Sequence, residues 1–156
     1  MVYTAGVPKI IKQKKLVKPK EPKEKTQKQI LGKIGEDAVC VYLQKKGFSV
    51  VSRNYLKKWG ELDIVATRAK KIYFVEVKSV SRPTSRWKVS RETKDDYRPE
   101  DNMHPWKLQR MARTIQTYLL ESRVPDDADW QVDLATVYVD TTKRLCRVHI
   151  LDNIIL

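Results

Sequence analysis

Two short apolar runs stand out along the chain: Gly60-Glu61-Leu62-Asp63-Ile64-Val65 and Ile72-Tyr73-Phe74-Val75-Glu76-Val77-Lys78. Each is rich in Val, Ile and aromatic residues and short enough to be a strand. The polar break Arg68-Ala69-Lys70-Lys71 between them predicts a β-hairpin. A loop of two or four residues centred between Ala69 and Lys70 sets Thr67 opposite Ile72, Asp63 opposite Glu76 and Glu61 opposite Lys78. Ala-Lys lacks the Gly or Asn that favours a tight turn, and an odd-length loop would move Asp63 off that pairing.

Upstream, Leu31, Ile34, Ala38, Val41, Tyr42 and Lys45 recur at three- and four-residue steps. They predict a helix from about Lys28 to Lys46 that Gly47 stops. Gly32 and Gly35 in its first turns point to close packing or to close approach of another chain. Phe48-Ser49-Val50-Val51 reads as a first strand running into Arg53-Asn54. Residues 79–103 form a long polar connection carrying Arg82, Arg86, Trp87, Lys88, Arg91 and Tyr97, a mixture suited to gripping a strand or to a plain insertion. Pro105 starts a second helix with His104 or Asn102 near its cap, and Leu108, Met111, Ala112, Ile115 and Leu119 give its core stripe through Leu120. Trp130 to Val139, which contains Asp133, and Leu145 to Ile150 read as two last strands around the turn Asp140–Lys143. The order is helix, three-strand meander, loop, helix, two strands, which is an α/β domain on a mixed sheet.

The hairpin register has an electrostatic cost. Like charges directly opposite on a sheet repel, and Asp63 and Glu76 sit in otherwise apolar strands. A divalent cation between them would offset the repulsion, and oxygen-only ligands suit Mg²⁺ or Mn²⁺. Lys78 shares a face with Glu76 by the period of the strand. Two solvent-facing carboxylates with an ordinary Glu–Lys surface pair give the same pattern, and both readings stay open. Glu36, near the start of the first helix, reads by itself as a first-turn acid favoured by the helix dipole.

Charge narrows the partner. The 156 residues carry a net +13, with a pI near 9.8, which points to a polyanion such as nucleic acid or to an acidic membrane surface. Residues 1–28 hold nine lysines against two glutamates, with three prolines and no apolar period. They predict a basic disordered arm over 1–27 ahead of a domain over 28–156. Such an arm would hold phosphates, each steepening the salt dependence of binding by roughly 0.9 log units, or would serve as a solubilising tail or address signal. Cys40 and Cys146 lie in apolar contexts without CxxC spacing and read as buried thiols in a reducing compartment. No run is long and apolar enough for a membrane span, and no signal-peptide region opens the chain, so a soluble cytoplasmic protein without a membrane partner is expected.

With Gly32, Gly35-Glu36-Asp37-Ala38, Arg53-Asn54, Gly60-Glu61-Leu62-Asp63 and Phe74-Val75-Glu76-Val77-Lys78 in place, the chain resembles the YraN-like family of predicted nucleases over roughly residues 28–156. That family is similar to the archaeal Holliday-junction resolvases of the PD-(D/E)XK superfamily. The resemblance implies a restriction-endonuclease-like core and a Mg²⁺- or Mn²⁺-dependent endonuclease acting on DNA. It casts Asp63 and Glu76 as metal ligands, the Val77 carbonyl as a further one, and Lys78 as the group that positions water or steadies the phosphate. Glu36 becomes the first-helix acid that assists the metal. Lys107 would contact phosphate, and Arg110, Arg53, Arg82, Arg86 and Lys88 join it as candidates for the nucleic-acid surface. Asp133 matches a family Asp with a structural role, and a symmetric homodimer would suit cleavage of both strands. Leu62 stands where the superfamily motif has Pro, and the 79–103 connection is long for the family. A nucleic-acid-binding module that keeps the fold without cleaving is the alternative.

Overall fold

Helix α1 (Gln27–Lys45) begins at Thr26, whose hydroxyl accepts from the Gln29 amide at 3.3 Å while the Gln29 side chain accepts from the Thr26 N–H at 2.9 Å. This reciprocal cap satisfies two otherwise orphaned donors, so Thr26 and Gln27 belong to the folded domain and not to the arm. The computed structural model describes residues 24–87, 103–154 and 156. The rest of the basic arm, and Lys88, Arg91, Tyr97 and Asn102 of the long connection, lie outside the described residues.

Five strands follow in a single mixed sheet of order β1-β2-β3-β4-β5. They are β1 (Ser49–Lys57), β2 (Gly60–Arg68), β3 (Lys71–Ser81), β4 (Trp130–Asp140) and β5 (Leu145–Leu151). The first three make the expected antiparallel meander. A crossover through helix α2 (Pro105–Glu121) returns the chain so that β4 lies parallel to β3. Strand β3 continues to Ser81 and a 3-10 turn spans Thr84–Arg86, so the start of the 79–103 connection is regular structure and not a plain loop. No helix among the described residues is long and apolar enough to cross a membrane.

The sheet is covered on both faces. Val39, Cys40 and Leu43 of α1 pack on Ile64, Ala66, Val75, Ala135, Val137 and Val139. Met111, Ile115 and Tyr118 of α2 pack on Leu62, Val65, Phe74 and Val132. Neighbouring residues such as Phe74 and Val75 thus serve opposite helices, as strand alternation requires. The buried stripe of α1 is rotated from the expected one. Ile34 and Val41 are exposed, and Val39 and Leu43 take the core positions. The cause is Gly35: a Cβ there would meet the Ser79 hydroxyl at 1.8 Å and the Ser79 Cβ at 3.0 Å, so the glycine line of the helix lies against β3. Around Gly32 there is open space, and its expected close packing is absent. In α2, Leu120 is exposed while Thr114 and Tyr118 are buried. Cys146 is also exposed, near the start of the edge strand β5; only Cys40 is the buried thiol expected.

The hairpin forms in the expected register, with Thr67 opposite Ile72 and Arg68 opposite Lys71. Ala69 and Lys70 then make a two-residue loop by adopting φ of 49° and 65°, a left-handed pair that a primed turn demands and that non-glycine residues resist. Core burial of Phe74, Val75, Ile64 and Val65 on both faces fixes the register that the turn residues do not favour.

Two stability changes follow. Lys70→Gly should raise the unfolding free energy by about 0.5–1 kcal/mol by relieving the left-handed strain. Gly35→Ala should lower it by about 1–3 kcal/mol by forcing α1 off β3. Urea unfolding of each variant beside the parent chain measures both.

Candidate active site

The β2–β3 ladder runs as far as Ile64 opposite Val75 and stops there, just where Asp63 and Glu76 would come next. The Asp63 carboxylate instead accepts the Val77 N–H at 2.7 Å. On the other side of β2, the β1 ladder pairs Arg53 with Ile64 and Tyr55 with Leu62, skipping Asn54, which has a φ of 50°. The strand therefore kinks at Asp63, and Leu62 on one side and Ile64 on the other face opposite helices. Interrupting both ladders turns the Asp63 side chain into a cavity of about 250 Å³ beside α2.

Gly60, Glu61, Asp63 and Glu76 line that cavity from the sheet, and Trp106, Lys107, Arg110 and Met111 line it from α2. The helix comes close because Gly60 has no side chain: a Cβ there would meet the Thr114 hydroxyl at 2.5 Å and the Arg110 carbonyl at 3.2 Å. Burial and the neighbouring Glu76 charge, with smaller contributions from Glu36 and Glu61, push the Asp63 carboxyl up to about 8, against the Val77 hydrogen bond that favours its charged form. Glu76, with a side chain only 10% exposed, is paired with the Lys107 ammonium. Arg110 directs its Nε–H to the Trp59 carbonyl at 2.6 Å and lays its guanidinium 5.8 Å from the Trp106 ring centroid.

Of the expected site residues, the cavity gathers Asp63, Glu76, Lys107 and Arg110. Lys78 stands on the same face of β3, level with Thr136 of β4, but does not line it, does not ion-pair with Glu76, and does not pair with Glu61, because the β2–β3 ladder ends at Ile64–Val75. Glu36 accepts from the Asn54 amide at 3.0 Å and lies 3.6 Å from Arg53, which also bonds Asp37 at 2.7 Å. These groups line a separate cleft with Lys33 and Gly32, and Glu61 lines both. Arg53 is thereby committed to two acids. Arg82 stacks over Tyr138 at 5.2 Å, and its carbonyl accepts from the Trp87 indole, so it and Arg86 belong to the far end of β3. Asp133 is buried, raised by that burial, and accepts from Gln131 at 2.6 Å and from the Asn153 amide at 2.9 Å. It ties the chain after β5 to the sheet, a structural role. His104 caps α2 by position, without a side-chain bond.

Glu61, Trp106 and Asn54 were missed as site residues. Glu61 stood inside the Gly-Glu-Leu-Asp motif, whereas the roles of Trp106 and Asn54 depend on which helix and strand they meet. Among the described residues, no three acids, histidines or cysteines are gathered closely enough to hold a metal ion by themselves. Asp63 and Glu76 offer two oxygen donors, and the Val77 carbonyl, water or a phosphate oxygen would have to complete a shell, a donor set that fits Mg²⁺ or Mn²⁺.

Comparison with known proteins gives the family. The profile of the Uncharacterised protein family UPF0102 matches residues 35–147, which includes Glu36, Asp63, Glu76, Lys78 and Lys107. A UPF0102 protein of Campylobacter jejuni (strain 81-176) is 32% identical over 109 residues, covering 70% of this chain and 84% of its own. Another from Campylobacter lari is 32% identical over 116 residues, 74% of this chain and 90% of its own. One from Helicobacter hepaticus is 29% identical over 93 residues, 60% and 72%. The chain belongs to the uncharacterised protein family UPF0102.

Proposed function

We propose that the protein is a YraN-like nuclease that hydrolyses DNA phosphodiester bonds in the cytoplasm with Mg²⁺ or Mn²⁺, with branched or Holliday-junction DNA as a candidate substrate. One observation carries this reading: Asp63 is held against Glu76 with its carboxyl pushed up to about 8, in a cavity walled by Lys107 and Arg110. A pair of acids that repel each other beneath a basic rim suits a cation and a polyanion together. Asp63, Glu76 and the Val77 carbonyl would hold the metal, which would supply polarisation of the phosphoryl oxygen and a more acidic water. Lys107 would exchange its bond to Glu76 for the incoming phosphate, and Arg110 would hold a phosphate oxygen nearby. Lys78 would position water from the next place along β3. Glu36 would act through its charge from the neighbouring cleft.

A second reading has its own observation. The Lys107–Glu76 ion pair neutralises one carboxylate without any metal, as a binding module that keeps the fold without cleaving would require.

Supercoiled plasmid and a synthetic four-way junction, each incubated with Mg²⁺, Mn²⁺ or EDTA, separate the two. Metal-dependent cutting is expected, and Asp63→Asn or Glu76→Gln should lower it by more than about 100-fold, the effect of losing several kcal/mol of charge stabilisation. Tight binding without metal-dependent cutting would favour the binding module.

Asp63 also makes stability depend on pH. The folded chain keeps its proton up to about 8, whereas the unfolded chain releases it near the ordinary 3.8. The folded state binds more protons between those values, so stability should fall as pH rises through that window. Asp63→Asn should remove the fall, and Mg²⁺ added above the window should offset it. Urea midpoints taken below and above the window, with and without Mg²⁺, read out both effects.

A further inference from the structure

The wall of the cavity formed by α2 holds a group that the hydrolytic reading does not use. Trp106, the second residue of α2, is 57% exposed and lines the cavity beside Lys107. Buried tryptophans elsewhere in a fold explain themselves by area removed from water, but this one keeps most of its surface in solvent at the mouth of a charged site. Its described ring partner is Arg110, one turn on, with the guanidinium 5.8 Å from the ring centroid. Arg110 is in turn fixed by the Trp59 carbonyl, and Arg113 lies 4.5 Å over the Trp59 ring. Two Trp–Arg pairs thus follow one another along α2. Among the described residues, neither arginine forms an ion pair.

We infer that Trp106 is a stacking platform for an unpaired base, so that the nucleic acid entering this site is single-stranded or frayed at the phosphate facing Asp63 and Glu76. The inference rests on the nucleic-acid reading above, and not on cleavage. Trp106 and Lys107 are consecutive and line one cavity of about 250 Å³. That space takes a phosphodiester and part of its nucleotide, and the base attached to that phosphate comes within reach of the ring. In a duplex the flat face of a base is covered by its neighbours, so only an unstacked base can meet the indole. Arg110 and Arg113 then follow the phosphates of the same strand away from the cavity, combining stacking with charge as single-strand grooves do.

Binding in EDTA tests this without any cutting. Fluorescence anisotropy would compare a labelled oligothymidylate with a hairpin duplex of equal length, for the full chain, Trp106→Ala, Trp106→Phe and Arg113→Ala. Trp106→Ala should weaken single-strand binding about 5- to 100-fold, the worth of one stacked base, and change duplex binding less than about twofold. Trp106→Phe should recover most of the loss, which a misfolded variant would not. Arg113→Ala should weaken single-strand binding and flatten its salt dependence. Equal losses on both ligands, or no loss on either, would overturn the inference. A Trp106-dependent preference for single strands would uphold it even if no metal-dependent cutting were found, so the two readings fail separately.

Discussion

A hydrogen bond from a strand amide to a carboxylate organises this site: the Val77 N–H goes to Asp63 instead of to a neighbouring carbonyl. An unpaired amide in the middle of a five-stranded sheet would be costly, and the Asp63 side chain satisfies it where the β2–β3 ladder stops. The bond favours a charged Asp63, while burial and Glu76 oppose that charge more strongly, and the carboxyl rises to about 8. An acid so placed is held by the backbone rather than by choice of rotamer. It is therefore ready to accept a compensating positive charge with little rearrangement.

The nearest positive charge comes from another element. Lys107 reaches Glu76 because α2 crosses β2 at Gly60, where a Cβ would collide with the Thr114 hydroxyl and crowd the Arg110 carbonyl. The same close crossing sets Trp106 and Arg110 on the cavity wall. Position on the sheet, approach of the helix and electrostatics of the acids are thus one constraint: two acids at a kink in the sheet under a helix that carries basic and aromatic groups. The α1 side makes a parallel arrangement, with Gly35 against Ser79 and Glu36 held between Asn54 and Arg53. Glu61, on both cleft walls, is the link between the two.

The large positive charge of the chain takes on a structural meaning here. Positive groups that face acids directly, such as Arg53 with Glu36 and Asp37 or Lys57 with Glu121, are spent within the fold. Arg110 and Arg113 instead each lie over a tryptophan ring and, among the described residues, face no acid. Exposed ion pairs add little to stability, so an arginine placed on a Trp surface instead of an acid costs the fold little.

The sequence by itself determined the element order and the hairpin register from Ile64–Val75 to the turn, because strand period and turn length are local properties. The expected pairing of Asp63 with Glu76 gave way to a bond from the Val77 N–H. The apolar run through Phe74 and Val75 held that register despite the unfavourable Ala69-Lys70 turn, since one slipped residue would bury the wrong face. Gly47 ended α1, and Pro105 began α2, for equally local reasons. Tertiary structure alone decided which face of α1 is buried, that Lys107 rather than Lys78 meets Glu76, and that Glu36 stands in a neighbouring cleft. It also decided the exposure of Cys146 and the place of Trp106 at the cavity mouth. Each of these depends on how closely a helix approaches the sheet, at Gly35 and Gly60. That distance is set by side chains far apart in the chain, and no periodicity within one segment encodes it.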